Sequence, residues 1–117
     1  TICYDVRFPY LYRALAQAGA GIITVPSAFT RRTGEAHWHV LLRSRAIETG
    51  TFIVAPAQCG DHEDGRKSYG HSLIVDPWGK VLADGGEEIG IVYGDIDLSK
   101  IDEARSMIPS LLHDKPI

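Results

Sequence analysis

The chain has 117 residues, 44% of them hydrophobic, and its 15 acidic and 12 basic side chains leave a formal charge of −3. That length suits one domain with a sizeable core, and the charge is too mild to suggest nucleic acid or an anionic membrane as a partner. No apolar run approaches the roughly 20 residues that span a bilayer, and two cysteines are too few for a disulfide framework, which fits a reducing cytoplasm. No signal peptide is visible. With Thr1 first and Met107 the only methionine, the N-terminus is expected to be truncated.

Thr1–Tyr4 reads as the end of a buried strand. Pro9 opens a helix, as proline does at a first helical position, with Leu11, Ala14, Leu15 and Ala18 at helical spacing and Gly19 as its stop. The β-branched run Ile22-Ile23-Thr24-Val25 predicts a strand buried on both faces, leaving through a Pro26–Thr30 loop. A second helix is expected over about Glu35–Thr49, with Trp38, Leu41, Leu42 and Ala46 as its apolar stripe. Gly50 ends it, and Phe52–Ala55 is another buried strand, followed by Pro56. The helix–Gly–strand–Pro pattern thus occurs twice, Ile22 matching Phe52 and Pro26 matching Pro56. Two consecutive αβ units imply parallel strands.

After that the pattern changes. Asp61–Ser68 reads as a loop. Ser72–Val75 and Val81–Ala83 read as strands joined by Asp76-Pro77-Trp78-Gly79, whose residue types suit a type I turn. A turn at Asp84–Glu88 leads into a strand over Ile91–Ile96. Asp97 caps a last helix carrying Leu98, Ile101 and Ile108. The tail from Ser110 has no periodicity and is expected to pack elsewhere.

Cys3 stands where a strand is expected to end and a helix to begin, the position at which ligands meet α/β proteins. A thiol near a helix N-terminus has its thiolate favoured by the dipole. The backbone N–H of Tyr4 then falls where an oxyanion would be received. A strand-end cysteine taken alone is more often a small buried filler, so the surrounding residues matter.

Cys3-Tyr4-Asp5-Val6-Arg7-Phe8-Pro9 matches C-x-D-x-R-F-P, the nucleophile segment of the nitrilase superfamily of carbon–nitrogen hydrolases. Three further stretches resemble family segments in family order: His37-Trp38 with Arg43–Glu48, Tyr69–Gly79, and Asp95–Leu98. The nearest resemblance is to the Nit-type branch, whose members hydrolyse small amides of ω-amido acids, deaminated glutathione and α-ketoglutaramate among them. The resemblance implies an α/β fold: half of a four-layer α-β-β-α sandwich, with a mixed parallel and antiparallel sheet flanked by helices. Residues 1–117 would be the C-terminal portion of a single hydrolase domain. It also implies a Glu-Lys-Cys triad, a Cys3 thioester, release of ammonia and hydrolysis by water, with no cofactor and no metal. The protein would be a homo-oligomer.

The family's glutamate and lysine precede the cysteine, and only Thr1 and Ile2 do so here. Lys67, Lys80, Lys100 and Lys115 fall at positions unsuited to the role, so these residues alone are expected to be inactive. The alternatives are another branch (N-carbamoyl amino acid amidohydrolase or nitrilase) and a non-catalytic fragment that only dimerises.

Arg7 is read either as a structural ion pair with Asp5 or another carboxylate, or as a clamp on a substrate carboxylate. Phe29 is expected to wall the pocket, and Thr30 or Thr33 to hydrogen-bond a substrate acid, unless Thr33 caps the helix that follows. His37 and His39 share no helix face and predict no metal site. His71 reads as a core or interface histidine, Trp38 and Trp78 as packing residues, Cys59 as structural, and Glu48 as a partner for Arg45.

Overall fold

A computed structural model describes all 117 residues, Thr1–Ile117. Its centre is a four-stranded sheet in the order β1-β2-β5-β6, from β1 (Ile22–Thr24), β2 (Phe52–Ala55), β5 (Leu73–Val75) and β6 (Val81–Asp84). β1 and β2 run parallel with Ile22 opposite Phe52, the two residues that the internal repeat equates. β5 and β6 join antiparallel. A separate hairpin pairs β3 (Cys59–Asp61) with β4 (Lys67–Tyr69), so the ends of the predicted loop are strands.

Helix α1 (Pro9–Gln17) begins at its proline as expected. The second helix starts earlier than predicted. α2 (Arg31–Thr33), a π-turn (Gly34–Trp38) and α3 (His39–Thr49) follow without a break. Thr30 is its N-cap, its side chain accepting from the Thr33 N–H, so the cap lies three residues before the threonine considered for it. Gly34 is required for space: a Cβ there would lie 2.3 Å from the Tyr69 side chain. Gly50 closes α3 in the left-handed region, at φ 61°, which only glycine adopts freely.

One core joins sheet and helices. Trp38, Leu42 and Ala46 meet Ile23, Val25, Ile53, Ala55, Leu73 and Val75, with Val6, Tyr12 and Phe29 completing the buried cluster. The expectation that β1 is buried on both faces is corrected: Ile23 is buried, while Ile22 and Thr24 are exposed. Strand side chains alternate, and the helices cover only the Ile23 face.

Ile91–Ile96 forms no strand. Gly94 instead lies against the Ile74 side chain, so this segment crosses the second face of the sheet and leaves Ile91 and Tyr93 exposed. Asp97 accepts the Ser99 N–H at the start of α4 (Ser99–Met107), whose Ile101 and Ala104 are buried. Leu98 and Ile108, expected on its apolar face, are exposed. The tail returns to α1, where Gln17 donates to the Leu111 carbonyl and Arg13 to that of Ser110. No helix is long and apolar enough to cross a membrane.

Candidate active site

The site is built where the parallel strands end. The Thr1 N–H donates to the Thr24 carbonyl and the Cys3 N–H, two residues on, to that of Pro26 at 2.9 Å. The first residues therefore lie along β1 in the bonding rhythm of a parallel ladder, but the predicted strand end is not formed, because a 3-10 turn (Cys3–Arg7) starts at the cysteine itself. Cys3 takes φ 44°, a left-handed conformation uncommon for a residue with a side chain and concentrated at functional sites.

Three contacts brace this bend. The Asp5 carboxylate accepts the Ile2 N–H at 2.8 Å. The Arg45 Nε donates to the Val6 carbonyl at 2.8 Å while its Nη1 meets Glu48 at 2.6 Å. Arg45 is buried, and its guanidinium also lies over the Tyr12 ring. The Arg45–Glu48 pairing is as expected; the use of Arg45 to anchor the turn after Cys3 has no signal in spacing alone. The dipole expected at Cys3 is corrected in source: α1 begins only at Pro9, and such effects fade within one turn. The Tyr4 N–H has no acceptor within the protein.

Cys3 lines an open cavity of about 620 Å³. Its other walls are Ile2, Pro26, Ser27 and Ala28 at the end of β1, Pro56, Ala57 and Gln58 at the end of β2, Ser72 and Gly90. Ser72 fixes two of these walls, its Oγ accepting the Ala57 N–H at 2.8 Å. No carboxylate and no lysine lines the cavity. Sequence reasoning missed Gln58 and Ser72 and expected the Ser27–Thr33 loop to meet Cys3 through its later residues, whereas Ser27 and Ala28 do so; the matched prolines at 26 and 56 were the available signal, since each marks a strand end beside Cys3.

Arg7, Phe29, Thr30 and Thr33 do not line that cavity. They gather in pairs beside it in sequence. Arg7 sits 5.3 Å over the Phe29 ring and within 3.3 Å of the His37 Nδ1. The ion pair considered for Arg7 is not made: Asp5 is engaged with Ile2, and no carboxylate bridges to Arg7. Phe29 is buried against Trp38, ring centres 4.7 Å apart. The Thr30 and Thr33 hydroxyls bond each other at 2.9 Å.

A second polar cluster unites residues read separately. His39 Nε2 and His71 Nδ1 each lie 2.9 Å from an Asp84 carboxylate oxygen. Burial pushes the Asp84 carboxyl up, but hydrogen bonds from His39, the Gly86 N–H and His71 together hold it below the usual carboxylate range. Cys59 remains a free thiol.

Residues 1–106 match the carbon-nitrogen hydrolase family. The chain belongs to this family. It is 55% identical over 115 residues to the deaminated glutathione amidase of Bos taurus, covering 98% of this chain and 35% of that protein. The C. elegans NitFhit protein superposes with a TM-score of 0.95 at 50% identity, over 98% of this chain and 28% of that one. The amidase from Nesterenkonia sp. AN1, in a structure showing Michael addition of acrylamide at the active site cysteine, aligns at 33% identity with a TM-score of 0.73, over 92% of this chain and 42% of that one. The chain spans 35% to 42% of the length of the deaminated glutathione amidases it matches. The mixed sheet flanked by helices is a nitrilase-superfamily fold, as the resemblance implied.

Proposed function

We propose that the protein containing this chain hydrolyses a small linear amide to an acid and ammonia through a thioester on Cys3, and that residues 1–117 are the C-terminal portion of its single hydrolase domain. The observation that carries this reading is Cys3 held at φ 44° on the wall of an open cavity, followed by a Tyr4 N–H with no internal acceptor.

The chemistry follows from those groups. The Cys3 thiolate attacks the amide carbon, and the carbonyl electron pair moves to oxygen as a tetrahedral oxyanion. The Tyr4 N–H donates to that oxygen as charge develops, when a fixed donor helps most. Collapse breaks the C–N bond, and the nitrogen leaves as ammonia after taking a proton. Water then attacks the thioester, releasing the acid and restoring the thiol. The proton carrier and a second oxyanion donor belong to a glutamate and a lysine that the family resemblance places outside these 117 residues. The absence of any acid or lysine from the cavity wall supports that assignment. Without them these residues alone are inactive, since each contribution is worth on the order of 10²–10⁴ in rate.

Within the family the favoured reading is a Nit-type amidase acting on deaminated glutathione or an ω-amido acid. The relatives support it, and so does Arg7, a guanidinium without a carboxylate partner four residues from the thiol. Arg binds carboxylates in paired hydrogen bonds, and these substrates carry one. Phe29 supports Arg7 from below, whereas the Thr30 and Thr33 hydroxyls are engaged with each other and with the helix cap. The exposed apolar side chains Ile89, Ile91 and Tyr93 call for a cover, from the rest of the domain or from a second subunit; a homo-oligomer and a cytoplasmic setting complete the proposal.

Ammonia release by the full-length protein tests it. Deaminated glutathione or α-ketoglutaramate should be turned over in preference to N-carbamoyl amino acids and nitriles. Turnover of the latter without either amide would move the enzyme to another branch of the family.

A further inference from the structure

Three side chains from three elements converge away from the Cys3 cavity wall. His39 opens α3, His71 precedes β5, and Asp84 ends β6. One ligand atom from each lies within 4.8 Å of the others. We infer that His39, His71 and Asp84 form a binding site for a borderline divalent transition-metal ion of the zinc type.

The donor set is the first argument. Two imidazoles and one carboxylate are a recognised three-ligand set for zinc, with a fourth position left to water or another ligand. Both imidazole nitrogens already lie 2.9 Å from Asp84 oxygens. Donors bound tetrahedrally at about 2.0–2.1 Å from zinc stand roughly 3.3 Å apart, so each imidazole–carboxylate pair opens by a few tenths of an ångström, while the widest pair of ligand atoms, which lies within 4.8 Å, closes by up to about 1.5 Å. Partial exposure, 33% at His39, 21% at His71 and 36% at Asp84, leaves a path for the ion and room for the open position.

Preorganisation is the second. His71 holds φ 59°, a left-handed conformation uncommon for residues with a side chain, though one that histidine adopts more readily than most. The backbone there is pinned by the Trp38 indole, which donates to the His71 carbonyl at 2.8 Å. The Tyr69 ring stacks on the imidazole, ring centres 4.2 Å apart. Asp84 is oriented from behind by the Gly86 N–H at 2.9 Å. Such outer contacts fix ligands in metal sites. The π-turn before His39 sets that residue's place on the helix, and insertions of this kind recur at functional sites. An ion here would tie α3, β5 and β6 together, one residue from Ser72 in the cavity wall.

The experiment titrates the full-length protein, stripped with chelator and with its thiols alkylated to remove competing sulfur. Zn²⁺ is followed by calorimetry and Co²⁺ by its visible absorption. The expected result is one ion per chain, a tetrahedral Co²⁺ spectrum, and affinity weakened by about tenfold or more in each of His39→Ala, His71→Asn and Asp84→Asn. Asparagine at 71 tolerates the left-handed backbone, so folding is preserved. No binding, a non-tetrahedral spectrum, or any of the three variants binding within tenfold of the parent would overturn the assignment.

Discussion

The two halves of the molecule solve different problems. Residues 1–58 carry the parallel strands, helices α1 to α3 and ten of the twelve residues of the central core cluster; residues 59–117 carry α4 and contribute only Leu73 and Val75 to that cluster. The first half is a well-buried platform that carries Cys3 and the paired proline loops. The second half closes the sheet with antiparallel strands, supplies Ser72 and Gly90 to the cavity, and leaves Ile89, Ile91 and Tyr93 uncovered. The candidate nucleophile lies on the half with the greater burial, and a reacting group needs neighbours that hold it to a fraction of an ångström.

The sharpest way to break this contrast is at the thiol. Cys3→Ala in the full-length protein should lower ammonia release by about 10⁴-fold or more, as loss of a nucleophile does, with an unchanged circular dichroism spectrum. Retained turnover would end the assignment. Next is the brace beneath it. Arg45→Ala strips the Val6 carbonyl of its buried donor, which costs about 1–3 kcal/mol, read from urea unfolding; the half-exposed Glu48 is left to solvent. The exposed Arg66–Asp64 pair of the second half is the control, and Arg66→Ala should leave the midpoint where it was.

Packing separates the halves in the same way. Leu42→Ala should cost about 2–5 kcal/mol, whereas Ile91→Ala, at a side chain 78% exposed, should cost under about 0.5 kcal/mol. Equal losses would show that the second half is packed as tightly as the first. On the substrate side, Arg7→Lys should raise KM about tenfold for an amide bearing a carboxylate and leave an uncharged amide unaffected. An equal change for both would remove the clamp.

The smallest effect is in pH. Burial pushes the Tyr12 phenol up; the hydrogen bond with Thr1 opposes this, Asp5 adds to it and Arg45 opposes it. A group whose folded value is raised contributes stability that is whole below its unfolded value, about 10, and is lost as pH climbs through the folded value. Tyr12→Phe should therefore flatten the alkaline end of the stability profile, measured by urea unfolding on both sides of that value. A profile that falls as steeply as the parent's would show that Tyr12 is not its source.

Much of this was legible in local pattern. The two αβ units, the glycine stops at Gly19 and Gly50, the Asp76–Gly79 turn and the motif around Cys3 all depend on residues close in sequence, and all are present. The misreadings share a cause. Ile91–Ile96 has strand composition but finds no partner edge, and strand propensity expresses itself only through pairing. Ile22 reads as buried because β-branched runs look alike whether one face is covered or two.

The amino-acid order by itself determined the family, the parallel repeat and the identity of the candidate nucleophile, because each is written in contiguous residues with local spacing rules. Only the tertiary structure decided that Cys3 bends into the left-handed region, that Arg45 anchors the turn after it, and that His39, His71 and Asp84 meet. Those contacts join residues 13 to 45 positions apart in sequence, and no local rule of spacing reports which distant side chains the sheet will bring within hydrogen-bond reach.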